Sequence, residues 1–245
     1  MTVKEVYDII GSFAPWETAA DFDNVGILIG SGKTKIKKVL VCLDVTPDVA
    51  AEAAQIGANL IVSHHPLIFE PLRSIDFESV PAFLIKNKIS LISAHTNLDL
   101  SPIGTTALLC DMLGLTVTDC SEFLYVGDLP KEMKGDDFAA KVKKLLKVKN
   151  IRYTEKDKVG RVAICAGSGS EYVSAAAEMG ADALVTGDVK HNRFIEAREK
   201  GIMIIDAGHY ETEKPITSRL GEILRKMLPC EVVVSDEDIR PFIIK

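Results

Sequence analysis

Five histidines, His64, His65, His95, His191 and His209, are the residues of this 245-residue chain best suited to chemistry. Four of them close apolar runs of strand length. Asn59 to Phe69 reads Asn-Leu-Ile-Val-Ser-His-His-Pro-Leu-Ile-Phe, in which a buried strand ends in His64 and His65 and Pro66 stops the ladder. Adjacent side chains on a regular strand face opposite ways. The pair therefore serves one site only where the strand is breaking up, or else serves two neighbouring metal positions. Ile89 to Ser93 runs in the same way into His95-Thr96-Asn97-Leu98-Asp99, and Ile202 to Ile205 leads to His209 with Glu213 four residues on. Imidazole with carboxylate suits Zn, Mn, Fe, Co or Ni, and the lack of clustered thiolates points to an open site rather than a closed structural zinc. A carboxylate such as Glu213 can bridge two ions about 3.5 to 4 Å apart, the spacing of two-metal hydrolytic sites.

Positioning these groups requires strands and helices in alternation. Thr2-Val3-Lys4-Glu5 has capping-box form ahead of Val6, Ile9, Ile10 and Phe13 at helical spacing. Lys38 to Val45 reads as a buried strand, Thr46-Pro47-Asp48 as the start of a helix over Val49 to Ile56, and Gly57 as its stop. Val80 to Asn87 and Gly104 to Leu113 also have helical spacing. Thr116 to Gly160 is polar and weakly patterned, and the boundary between two lobes is placed there, giving residues 1–120 and 121–245, with the C-terminal strand able to return to the first lobe.

The second lobe repeats the first. Lys38 to Cys42 answers to Arg161 to Cys165, and Glu52 to Val62 to Ala175 to Val185, at a single offset. At that offset His64-His65 meets Gly187-Asp188. At a shorter offset Ile89 to Ile92 answers to Ile202 to Ile205, and after a single-residue slip His95 meets His209 and Asp99 meets Glu213. The fold expected is α/β, two related lobes with a metal site in the cleft between them, because ligands gather beyond the carboxyl ends of such strands.

Other signals are weaker. Gly30-Ser31-Gly32-Lys33-Thr34 lacks the earlier glycine of a P-loop, having Ile27 there, and leads into a strand instead of a helix. Ala166-Gly167-Ser168-Gly169-Ser170 is either an anion cradle or a plain tight turn. Asp188, Lys190, His191 and Asn192 form either a source of acid, base or ligand-orienting groups or a solvated turn.

A formal charge of −6 and a pI near 5.5 argue against a nucleic-acid surface. The basic run Lys141 to Lys149 reads as the solvated face of an amphipathic helix. Five scattered cysteines without Cys-x-x-Cys imply reduced, mostly buried thiols. No basic segment precedes an apolar stretch at the N-terminus, and no apolar run nears the roughly 20 residues that span a bilayer. The setting expected is cytoplasmic, away from membranes.

Asp23-Asn24-Val25-Gly26, Ser63-His64-His65-Pro66-Leu67-Ile68-Phe69, His95-Thr96-Asn97-Leu98-Asp99, Gly187-Asp188 and Gly208-His209-Tyr210-Glu211-Thr212-Glu213 together resemble the dinuclear-metal NIF-three-like family, often labelled GTP cyclohydrolase 1 type 2 homologs. The resemblance implies a ring-shaped homohexamer of two-lobed subunits in the short form, without the domain that some members insert. It implies two divalent metal ions per subunit, held by His64, His65, Asp99, His209 and Glu213, with Glu213 bridging. His95 then stands beside the ligands as a candidate catalytic group. His191 is the second such candidate, since many members carry a histidine after it where this chain has Asn192. The function expected is a metal-dependent hydrolase acting on a nucleotide-like or phosphorylated small molecule, with GTP ring opening as the family label. The alternative is a metal-binding or regulatory scaffold that assembles partner proteins without turnover.

Overall fold

A computed structural model of the chain describes residues 1–238 and 240–243. The chain runs through α1 (Val3–Phe13), β1 (Gly26–Ile29), β2 (Lys38–Cys42), α2 (Pro47–Gln55), β3 (Leu60–Ser63), α3 (Val80–Lys86), β4 (Ser90–Ser93) and the single turn α4 (Thr96–Asp99). It continues with α5 (Thr105–Leu113), β5 (Thr116–Ser121), β6 (Leu124–Lys134), α6 (Gly135–Leu145), β7 (Arg152–Tyr153), β8 (Lys158–Ile164) and α7 (Val173–Glu178). Last come β9 (Ala183–Thr186), α8 (His191–Glu199), β10 (Met203–Asp206), α9 (His209–Glu213), α10 (Pro215–Met227) and β11 (Glu231–Val234). Among the described residues no helix is long and apolar enough to cross a membrane. All five cysteines are free thiols, and Cys42, Cys110 and Cys165 are buried.

Two compact units result. The first comprises residues 1–103 and 216–241, the second residues 104–215 with the chain end from Phe242. The division falls at Ile103, ahead of the polar segment used to place it from sequence. In the first unit the strand order is β1-β4-β3-β2-β11, parallel except for β1. β11 thus returns to the first sheet. In the second unit the order is β5-β6-β8-β9-β10-β7, with β8, β9 and β10 parallel. β9 and β10 are buried on both faces: Ala183, Val185, Met203 and Ile205 enter one core, and Leu184, Ile202 and Ile204 the other.

The repeat is visible in strand register. Val39 pairs with Leu60 and Val162 with Ala183, each position moved by 123 residues. Ser63 pairs with Ser93 as Thr186 pairs with Asp206. Each copy is a run of strand, helix and strand, the two strands parallel, with the candidate ligands in the loops beyond their carboxyl ends. Local signals hold where expected: Thr2 caps α1 in a full capping box, Thr46 Oγ1 accepts the Val49 N–H at 3.2 Å ahead of Pro47, and Gly114 ends α5 at φ +71°.

The segment after β11 is tied to the carboxyl end of β2. The Ser235 N–H donates to the Val41 carbonyl at 2.8 Å, and the buried Leu43 N–H donates to Asp238 Oδ2 at 2.6 Å. Removing the acceptor of this buried N–H, Asp238→Ala is expected to cost about 1–3 kcal/mol, the penalty of an unmatched buried donor. Urea denaturation checks this, with an unchanged midpoint as the contrary result.

Candidate metal centre

In the first unit the strand does break up at the histidine pair. β3 ends at Ser63, whose hydroxyl donates to the His65 carbonyl at 2.8 Å and meets the Ser93 hydroxyl at 2.7 Å, turning the chain. His64 and His65 then place their rings 5.0 Å apart, with the His95 ring 5.1 and 5.4 Å from them. One ligand nitrogen from each of the three lies within 4.8 Å of the others. Asp99, the last residue of α4, brings Oδ1 to 3.6 Å from His64 Nε2. His64 is buried, while His65 and His95 are half-buried.

Each ring is held from behind. His64 Nδ1 donates to the Ala94 carbonyl at 2.9 Å, His65 Nδ1 to Asp44 Oδ1 at 2.9 Å and His95 Nδ1 to Asp23 Oδ1 at 3.0 Å. An acceptor at Nδ1 fixes the proton there and leaves the Nε2 lone pair for a cation, the usual support of a metal-bound imidazole. The buried Asp23 carboxylate also accepts from the Thr96 N–H at 3.0 Å and its hydroxyl at 2.5 Å. Burial pushes its pKa up, but the His95 and Thr96 hydrogen bonds outweigh this and hold it well below the usual carboxylate range.

The second unit repeats the design with fewer side chains. α9 sets His209 and Glu213 four apart on one face, with Nε2 and Oε2 2.9 Å apart, and His209 Nδ1 donates to Asp188 Oδ2 at 2.7 Å. The Glu213 hydrogen bond raises the His209 pKa to about 9 against the effect of burial, and Asp188 adds to the rise. Gly167, at φ +67°, makes room: a Cβ there would lie 2.1 Å from Glu213 Oε1 and 3.4 Å from His209 Nε2. Three converging imidazoles with a carboxylate in one unit, and an imidazole–carboxylate pair beside a side-chain-free cradle in the other, are donor sets that fit divalent transition ions.

Other sequence candidates lie elsewhere. His191 is exposed as the first residue of α8, beside exposed Asn192, and among the described residues no group of three metal-ligating side chains includes it. The loop after β8 is a tight turn and not an anion cradle. Its Ala166, Gly167 and Gly169 N–H groups are spent on the Thr106, Thr212 and Thr186 hydroxyls. Gly30 to Thr34 turns on itself, Thr34 N–H to Ser31 carbonyl at 3.0 Å, and leads to β2, so no P-loop forms. Sequence reasoning missed the orienting roles of Asp23 and Asp44, whereas Asp188 stood among its candidate ligand-orienting groups and takes that role at His209. Asp44 stood in view as a position where the repeat copies diverge, against Gly167.

A profile of the family described as Duf34/NIF3 (NGG1p interacting factor 3) matches residues 1–241. A Clostridium perfringens protein named GTP cyclohydrolase 1 type 2 homolog is 34% identical over 259 residues, 99% of each chain. A Nostoc protein of the same name is 39% identical over 228 residues, covering 85% of this chain and 86% of its own. Among solved structures, a Bacillus cereus protein related to NIF3 superposes with a TM-score of 0.92 at 25% identity, over 100% of this chain and 99% of the other. Reduced HcgD from Methanocaldococcus jannaschii superposes at 0.85 with 31% identity, over 96% and 98%.

With a pKa raised from 6.5 to about 9, His209 keeps its proton through neutral pH in the metal-free protein. Its contribution to stability is full below about pH 6.5 and is lost as pH rises through about 9. A divalent ion at Nε2 must displace that proton. Zinc affinity is therefore expected to rise with pH up to about 9, with roughly one proton released from this group on binding near neutrality. Titration calorimetry in buffers of unequal ionisation enthalpy measures the release, which Asp188→Asn should reduce; equal heats in every buffer would contradict the assignment.

Proposed function

Since the chain belongs to the Duf34/NIF3 family, we propose that it is a metal-dependent hydrolase that binds two divalent ions per subunit and acts on a nucleotide-like or phosphorylated small molecule. The observation that carries this reading is the common mounting of four imidazoles, His64, His65, His95 and His209, each donating from Nδ1 to a fixed oxygen. Such mounting is costly to assemble for structure alone and is what metal ligands require.

In this reading His64, His65 and Asp99 from the first unit and His209 and Glu213 from the second would be the residues that hold the ions. Bound ions supply the Lewis acidity and the acidification of water that hydrolysis near neutral pH needs. The chain itself orients the ligands through Ala94, Asp44 and Asp188. His95 is the proton carrier: with Nδ1 pinned to buried Asp23, its Nε2 takes a proton and Asp23 stabilises the resulting charge. That role falls to His95 and not to exposed His191. The name shared by the relatives extends the proposal to ring opening of GTP.

A screen of the metal-loaded protein against nucleotides, GTP included, and phosphoesters tests the proposal. Turnover is expected in the parent and lost in His64→Ala. Glu213→Gln is expected to lower the metal content with the fold retained, because a neutral amide bridges two cations poorly; unchanged metal by elemental analysis would sink the ligand assignment. Absence of turnover in every protein would favour a scaffold without chemistry.

A ring-shaped homohexamer completes the reading. Phe69, Leu72, Ile75 and Phe77 are exposed along one loop, apolar surface of the kind that a second copy covers. Sedimentation is expected to give six times the 26.7 kDa of the chain, and a monomeric mass would refute the ring.

A further inference from the structure

In the first unit, residues 14–24 form a strap bonded to both of the strand ends that carry histidines. Buried Asn97 donates from Nδ2 to the Ala14 carbonyl at 2.9 Å, and the Ala20 N–H donates to the Thr96 hydroxyl at 3.0 Å. Asp23 then accepts from His95 and Thr96. These bonds fasten the strap to the end of β4, and Asn24 carries it across to the end of β3. Its Nδ2 donates to the Ile68 carbonyl at 2.6 Å. Only the NH₂ end of an amide can meet a carbonyl, so the orientation of this side chain is fixed. The Asn24 backbone N–H donates to Asp23 Oδ1 at 2.8 Å, and that oxygen also accepts from His95 Nδ1.

The chain beyond His65 has little else to direct it. Pro66 brings no N–H, and residues 69–78 are exposed. Among the described residues no other hydrogen bond joins residues 66–75 to the rest of the chain. Leu67 and Ile68 pack against the core, but apolar burial is non-directional. The Asn24 amide therefore sets the course of the chain as it leaves His65. We propose that Asn24 is a positioning residue of the imidazole cluster. Its side chain holds the segment that follows His65, its backbone holds the carboxylate that orients His95, and together they fix the two rings 5.4 Å apart. The inference rests on the metal-binding reading above and is independent of turnover.

Asn24→Asp tests it, since shape and the backbone bond to Asp23 stay while the donor to Ile68 becomes an acceptor that repels the carbonyl. Asn59 provides the control. It makes a matching pair of bonds, from Nδ2 to the Lys35 carbonyl and to Oδ1 from the Lys37 N–H, both at 2.8 Å, at the opposite end of β3 from the histidines. Full-length parent and variants are titrated with Co(II), whose d–d absorption bands record ligand geometry, while a competing chelator records affinity. Asn24→Asp is expected to shift the bands and to weaken binding about tenfold, the low end of the loss when a metal ligand's supporting partner is removed. Asn59→Ala is expected to keep the bands and affinity of the parent while lowering the thermal midpoint. Unchanged bands and affinity in Asn24→Asp would overturn the proposal. Equal changes in Asn59→Ala would also overturn it, because they would mark a general loosening of the first unit. Should circular dichroism show Asn24→Asp unfolded, Asn24→Ala is judged by the same two criteria. A parent that binds no cobalt would remove the metal reading and this inference with it. Cobalt binding as described, without turnover of any substrate, would remove the hydrolase reading alone.

Discussion

An imidazole binds a metal through the ring nitrogen turned toward it, and an oxygen behind each ring here holds Nδ1 so that Nε2 is the nitrogen presented. For His64 that oxygen is the Ala94 carbonyl. It stands in place because β3 and β4 pair in register, Ser63 with Ser93, and the ladder continues from the Ala94 N–H to the Ser63 carbonyl at 2.9 Å. A slip of one residue would turn every side chain of β3 to its opposite face. The buried Val, Ile and Leu of these strands thus do more than fill a core, since their packing sets where the imidazoles point.

The internal repeat shows how one supersecondary unit came to hold two different donor sets. Register is shared between the copies, and the differences concentrate where strands end. His64 and His65 in the first copy face Gly187 and Asp188 in the second. Gly187 is there for space: a Cβ would lie 2.4 Å from the His209 backbone nitrogen. Gly167, opposite Asp44 in the repeat, leaves the same kind of space beside Glu213. The first copy supplies side chains from its strand ends, and the second clears room around side chains supplied by the next helix.

The parallel strands were legible in the sequence because they are buried on both faces and read as unbroken apolar runs between glycine and proline stops. The repeat, the histidine ends and the His-x-x-x-Glu spacing were legible for the same reason, as short local patterns. β5 and β6 were not. β5 is exposed along its whole length and so carries no alternation, and the pairing of β6 with β8 is irregular between Asp128 and Met133, which breaks the period of two. The helix expected over the basic run starts earlier, at Gly135, and its exposed lysines lie near its end. Asp23 was invisible as an orienter because its partner His95 is 72 residues away. No local pattern reports a contact of that range.

Asp188 shows how magnitudes separate a structural role from a functional one. Its backbone sits at φ +51°, a left-handed conformation that costs a non-glycine residue about 1 kcal/mol, less for Asp than for most. Its hydrogen bond to His209 would be worth about 1.5–3 kcal/mol if buried. With the Asp188 side chain 56% exposed and the His209 side chain 34%, solvent screening cuts that to roughly 1 kcal/mol or less. The two terms nearly cancel, so the pair contributes little to folding. A glycine would hold the same backbone at lower cost and would leave His209 free to rotate. What the carboxylate adds is the direction of the His209 ring, and that matters only to whatever the ring's other nitrogen binds.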